Sequence, residues 1–204
     1  GLTAGFVDEE FGGAGIEISD ACEILRVAGR FAVPVPLAET MLGGWLLAQG
    51  GITFPGGRLA VAPVREADRL SIDGSGVLNG TARDVPFASE ADTFAVLAMR
   101  DRQPVIACVD AASCRIADGL SLADDPKDDV IFDGVPTTDA VDAPDAFDAN
   151  SLLMMGVMPH FSFTRGMNLS TAVTGSMSRP PIMRNNVSRI FSSEFMPSVQ
   201  TSGL

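Results

Sequence analysis

Few residues in this chain have the type and spacing that chemistry needs. Asp8, Glu9 and Glu10 are three consecutive carboxylates of the kind used in general acid–base work. Consecutive side chains do not share a face, so a solvated turn is the simpler reading. His160 is the single histidine; it stands beside Pro159 with no fixed acid or thiol partner. No G-x-S-x-G elbow accompanies it. The glycine pairs at 43–44, 50–51 and 56–57 form neither G-x-G-x-x-G nor a phosphate-binding loop. Cys22, Cys108 and Cys114 are odd in number, and the gap from Cys108 to Cys114 matches no zinc spacing, so neither a metal site nor a disulfide framework is expected. Met41 and Trp45 read as core. Arg83-Asp84 beside Val85-Pro86 reads as a surface turn between strands, with a ligand groove as the alternative.

The elements that must position these residues change in kind along the chain. Asp8 to Gly15 holds two acids after Asp8's own, an aromatic and three glycines in four positions. Glycines in such numbers belong to a fixed turn, not to a helix interior or a strand. A helix is predicted over Ala21 to Ala28, capped by Ser19 or Asp20 and stopped by Gly29. Pro36 opens a second helix over Leu37 to Ala48, whose apolar stripe is Leu37, Met41, Trp45 and Ala48. From Ile52 onward short apolar runs alternate with turn residues. Strands are predicted at Leu59–Val64, Arg69–Ile72, Gly76–Ala82, Thr93–Met99, Val105–Asp110, Cys114–Ile116 and Asp129–Phe132. Asp73-Gly74 and Asn79-Gly80 are turn signals. Asp139 to Asp148 reads as an acidic connector, and Ser151 to Met158 as the start of another helix.

The chain has 204 residues and a formal net charge of −12, which disfavours a nucleic-acid surface. No apolar run approaches a membrane span. There is no leader to read, and Gly1-Leu2-Thr3 begins as if inside a domain; an acidic, cytoplasmic protein is expected. Residues 1–158 carry ten Lys+Arg and twenty-five Asp+Glu, whereas 159–204 carry four Arg and one acid, Glu194, with nine Ser. Three readings of that tail stay open: a disordered tail, a basic docking arm, or a product of a changed reading frame.

Four stretches, in order, resemble the acyl-CoA dehydrogenase superfamily. They are Asp8 to Gly15; Cys22 to Arg30 running into Pro34-Val35-Pro36-Leu37; Leu70 to Gly80 with Arg83, Val85 and Ala91 to Val96; and Asp129 to Pro136. The resemblance implies an α+β chain. Its parts would be a partial helical N-terminal domain over 1–51 and an antiparallel β-barrel or sandwich middle domain over 52–140. A linker and first C-terminal turn over 141–158 would follow, then a non-family tail over 159–204, with the C-terminal four-helix domain largely absent. It also implies FAD as cofactor, an acyl-CoA substrate and oligomers with acyl-CoA dehydrogenase subunits, identical or not. The family's Trp-Ile-(Thr/Ser) flavin contact falls on Val85, Pro86 and Phe87, which are therefore the cofactor-binding candidates. Its Thr-Glu-Pro and Gly-Ser-Asp runs are replaced by Ala62 to Asp68, and no position carries the catalytic carboxylate. Weak or absent flavin binding and no activity of the chain alone are expected. A similar weakened pattern occurs in partner subunits of heteromeric bacterial enzymes of sterol side-chain breakdown.

Overall fold

A computed structural model describes residues 1–144 apart from Glu66 and Ala123. The helix predicted at Ser151–Met158, the tail, His160 and Glu194 lie outside the described residues. Two helices come first, α1 (Ile18–Arg30) and α2 (Leu37–Gln49). Eight strands follow: β1 (Leu59–Ala62), β2 (Leu70–Ile72), β3 (Val77–Pro86), β4 (Thr93–Arg100), β5 (Gln103–Asp110), β6 (Arg115–Ala117), β7 (Lys127–Pro136) and β8 (Asp139–Asp142).

The strands form one mostly antiparallel sheet in the order β6-β7-β3-β2-β4-β5-β8. β1 and β2 share one edge of β4 and run parallel to it, β1 beside Thr93–Val96 and β2 at Met99. The sheet curls around an interior of small and branched side chains. Phe94 of β4 and Phe132 of β7 are separated by two strands in the sheet, yet their rings meet edge to face at 6.0 Å. The outer face of β1, β4 and β5 is covered as well: Leu59, Val61, Ala95, Leu97, Ile106 and Cys108 pack with Leu42, Trp45 and Leu46 of α2. Burial on both faces explains why these strands read as continuous apolar runs.

α2 is buried on every side from Thr40 to Ala48, more than the single stripe expected, because it lies between the sheet and the N-terminal turn. Gly43 permits the contact with the sheet: a Cβ there would stand 2.9 Å from Cβ of Leu59. The Thr40 hydroxyl accepts from the Leu59 N–H at 3.1 Å and ties the helix to the start of β1. The Asp8–Gly15 turn is fixed as expected, and its three acids are exposed. Gly13 has no room for a side chain, since a Cβ would lie 1.8 Å from the Val7 carbonyl oxygen. Phe54 N–H donates to Phe11 O at 2.9 Å, and Phe6 stacks on Trp45, so the turn is bound to α2 and the segment after it.

Several local expectations are corrected. α1 starts earlier, at Ile18, without a side-chain cap, and passes through Gly29. The left-handed residue that ends it is Ala32, while Phe31 and Val33 N–H groups satisfy the last carbonyls. Asn79-Gly80 is not a turn; it lies inside β3, where the pairing with β7 shifts register, and Asn79 Oδ1 accepts from Gly134 N–H. Arg83-Asp84 is likewise inside β3. Asp139–Asp142, read as connector, pairs with Val105–Cys108 as an edge strand, and its exposed acids suit an edge.

Candidate functional site

The three cofactor-binding candidates fall where β3 ends. Ala82 pairs with Val130 and Val85 with Asp128, so Arg83 and Asp84 together oppose Asp129 in a β-bulge. Val85 is fully buried in the interior of the sheet. Pro86 lies across from Lys127, the only lysine in the chain, and both are half-buried. Phe87, also half-buried, leaves the strand with φ 52° and ψ 29° and begins a short 3-10 turn over Ala88–Glu90. Asp84 has φ 56°. Two non-glycine residues in the left-handed region therefore flank Val85-Pro86. Such residues are uncommon, and they persist where surrounding contacts over-determine them.

Phe87 itself is held by the Pro126 carbonyl, to which its N–H donates at 3.2 Å, and three aspartates hold the residues around it. Asp68, whose side chain is wholly buried, accepts from the Arg83 N–H and from its guanidinium, each at 2.7 Å. Asp129 accepts from Asp84 N–H at 3.1 Å. Asp128, 1% exposed, accepts from Ser89 N–H at 2.8 Å and from Gly119 N–H at 3.1 Å. Charge-assisted bonds of this kind are about twice as strong as neutral ones. Arg65 pairs with Asp84 of the bulge at 3.0 Å, and Arg58 pairs with Asp92 at 3.3 Å. Hydrogen bonds from Arg58 hold the Asp92 carboxyl below its ordinary range.

One further acid stands apart. Glu39, in the first turn of α2, is half-buried, and burial pushes its carboxyl up to about 7, with the charge of Asp125 adding to the effect. The thiols are not activated. All three are free, and burial pushes each of them up, Cys114 to about 11. Among the described residues no three His, Cys, Asp or Glu side chains converge as metal ligands, and no helix is long and apolar enough to cross a membrane.

The candidates Val85, Pro86 and Phe87 are contiguous, yet the structure separates their roles. Val85 contributes its side chain to the core; Pro86 and Phe87 present carbon surface at the end of the sheet. Sequence reading missed Asp68, Asp128, Asp129, Lys127 and Glu39. Asp128 alone carried a readable signal, because it is in phase with the inward-facing Val130 and Phe132.

Flavin is the cofactor that the family resemblance implies. The half-buried carbon surfaces of Pro86 and Phe87 could meet the flat face of its aromatic ring, while the neighbouring N–H groups of Arg83, Asp84 and Ser89 are already satisfied and offer nothing to its polar edge. Lys127 is the cation set directly across from that surface.

No family model matches the chain. It is 34% identical over 94 residues to acyl-CoA dehydrogenase IpdE2 of Mycolicibacterium smegmatis, a match covering 46% of this chain and 30% of that protein. A variant of the Tcur3481-Tcur3483 steroid ACAD superposes with a TM-score of 0.58 at 26% identity, covering 70% of this chain and 45% of that one. The ChsE4-ChsE5 complex from Mycobacterium tuberculosis superposes with a TM-score of 0.67 at 20% identity, covering 90% and 56%. The chain thus spans about a third of the curated relative and about half of the solved chains. The order of helices and strands, the turn at Asp8–Gly15 and these similarities together make the chain an acyl-CoA dehydrogenase-fold protein.

Proposed function

We propose that this chain supplies the N-terminal helical part and the β domain of an acyl-CoA dehydrogenase. The parent reaction is FAD-dependent α,β-dehydrogenation of an acyl-CoA thioester in the cytoplasm. The carrying observation is the bulged end of β3, where two left-handed residues and three aspartates hold Pro86 and Phe87 as an apolar surface on this fold. Flavin, when bound, supplies the hydride-accepting chemistry. Pro86 and Phe87 would hold its ring, Val85 backs them from the core, and Lys127 offers the nearby positive charge. The triplet lacks the family's tryptophan, so the chain alone binds flavin weakly, and no position carries the family's catalytic carboxylate, so it has no dehydrogenase activity alone.

The purified chain is expected to be colourless, with weak flavin binding detectable only on titration. Flavin absorbance that survives purification and bleaches on adding an acyl-CoA thioester would overturn the statement that the chain is inactive alone.

A second reading is favoured by the similarity to the ChsE4-ChsE5 complex. In it, the chain is a non-catalytic subunit that completes the site of a flavin-bearing homologue. Co-purification with such a homologue from the native source supports this reading; a clean monomer counts against it.

A further inference from the structure

We infer that Asp128 is a positioning residue for the candidate flavin surface, fixing the left-handed backbone of Phe87 and with it the place of the ring. The inference rests on the reading that flavin meets Pro86 and Phe87. The β3–β7 ladder ends at Pro86 opposite Lys127, and proline has no N–H to continue it. Beyond that point two bonds run from the β3 side to the β7 side. Phe87 N–H donates to the Pro126 carbonyl at 3.2 Å, and Ser89 N–H donates to Asp128 Oδ2 at 2.8 Å. A side-chain carboxylate has taken the place of a backbone acceptor. Phe87 lies between these two bonds, and its own carbonyl accepts from Glu90 N–H at 3.1 Å, closing the turn.

The other oxygen, Oδ1, accepts from Gly119 N–H, so the same carboxylate ties the β6–β7 loop to this turn. Asp128 faces inward with Val130 and Phe132, is 1% exposed, and touches solvent nowhere that a ligand could reach. It therefore acts only through the backbone it holds. A phenylalanine with φ 52° relaxes readily to the ordinary right-handed or extended regions once a neighbouring N–H is released. Either change redirects the Phe87 side chain relative to Pro86.

The test is a double-mutant cycle on flavin affinity. FAD is titrated into wild-type chain, D128N, F87A and the double variant, read by quenching of flavin fluorescence, with a thermal melt of each. D128N and F87A are each expected to weaken FAD by about tenfold, and the double variant to be no weaker than F87A. If D128N costs the same factor in the F87A background as in wild type, Asp128 does not act through Phe87 and the inference falls. It falls equally if D128N lowers the melting temperature and leaves FAD affinity unchanged. Should D128N not fold, S89P carries the test. It removes the N–H that donates to Asp128 and leaves the carboxylate bonded to Gly119, and its loss must also vanish in the F87A background. An F87A chain that binds FAD as well as wild type, or a wild type that binds none, overturns the flavin reading itself.

Discussion

The half-buried Glu39 makes stability depend on pH in a direction that can be worked out. Its carboxyl titrates at the ordinary 4.5 in the unfolded chain and at about 7 in the folded one. The folded state therefore binds this proton more tightly. Below pH 4.5 both states are protonated and the stabilisation is fully present; it drains away as pH rises and is gone above 7. At about 1.4 kcal/mol per tenfold, the gap amounts to about 3 kcal/mol at full weight. Glu39 keeps part of its surface in water, which screens the penalty, so about 1–2 kcal/mol is the expected size. Glutamine keeps the shape and removes the titration. Urea unfolding followed by the fluorescence of Trp45, a buried residue of the same helix, gives the measurement. Relative to wild type, E39Q should gain about 1–2 kcal/mol on going from pH 5 to pH 8. Curves for the two proteins that stay parallel over that range, within about 0.5 kcal/mol, would refute the placement of Glu39 in a desolvating contact.

Two more predictions concern the frame that carries the site. G13A puts a Cβ 1.8 Å from the Val7 carbonyl oxygen, and Val7 is itself fully buried, so backbone must move. A loss of about 3 kcal/mol or more in a thermal or urea melt is expected, and a near-neutral effect would mean the turn is not packed as described. T40V replaces the hydroxyl to which Leu59 N–H donates and leaves that buried donor unsatisfied. It should cost about 1–3 kcal/mol, and amide exchange at Leu59 should quicken in step.

The parts of this fold that were legible in the sequence are those set by neighbours in the chain. The Asp8–Gly15 turn was readable because three glycines in four positions allow little else, and most strands because apolar runs alternate with turn residues. What was misread depends on partners far along the chain. Asn79-Gly80 has the composition of a hairpin turn, but β7 lies alongside it and pairing absorbs the dipeptide as a register shift. Asp139–Asp142 has little strand character of its own and becomes a strand because β5 offers a free edge. The single stripe expected on α2 underestimates its burial because the N-terminal turn covers the face away from the sheet.

The candidate site shows the same division more sharply. Val85, Pro86 and Phe87 were reached through family resemblance, and nothing in their own types distinguishes them from a surface turn. What makes them a defined surface is the set of carboxylates around them, whose partners lie 15, 39 and 45 positions away. At such separations no local rule connects an acid to the N–H it will accept from, so Asp68 and Asp128 read as ordinary charged loop residues and Asp129 as the first residue of a strand. Asp128 is the exception that could have been caught. A strand written Lys-Asp-Asp-Val-Ile-Phe places Asp128, Val130 and Phe132 on one face, and an acid in phase with the core must either be neutralised or find donors. Here it finds two N–H groups from separate loops. An acid on the inward face at the end of a strand is thus a sequence-level sign that the backbone beyond it is held by side chains, and that is where a fixed, strained surface such as Phe87 can be built.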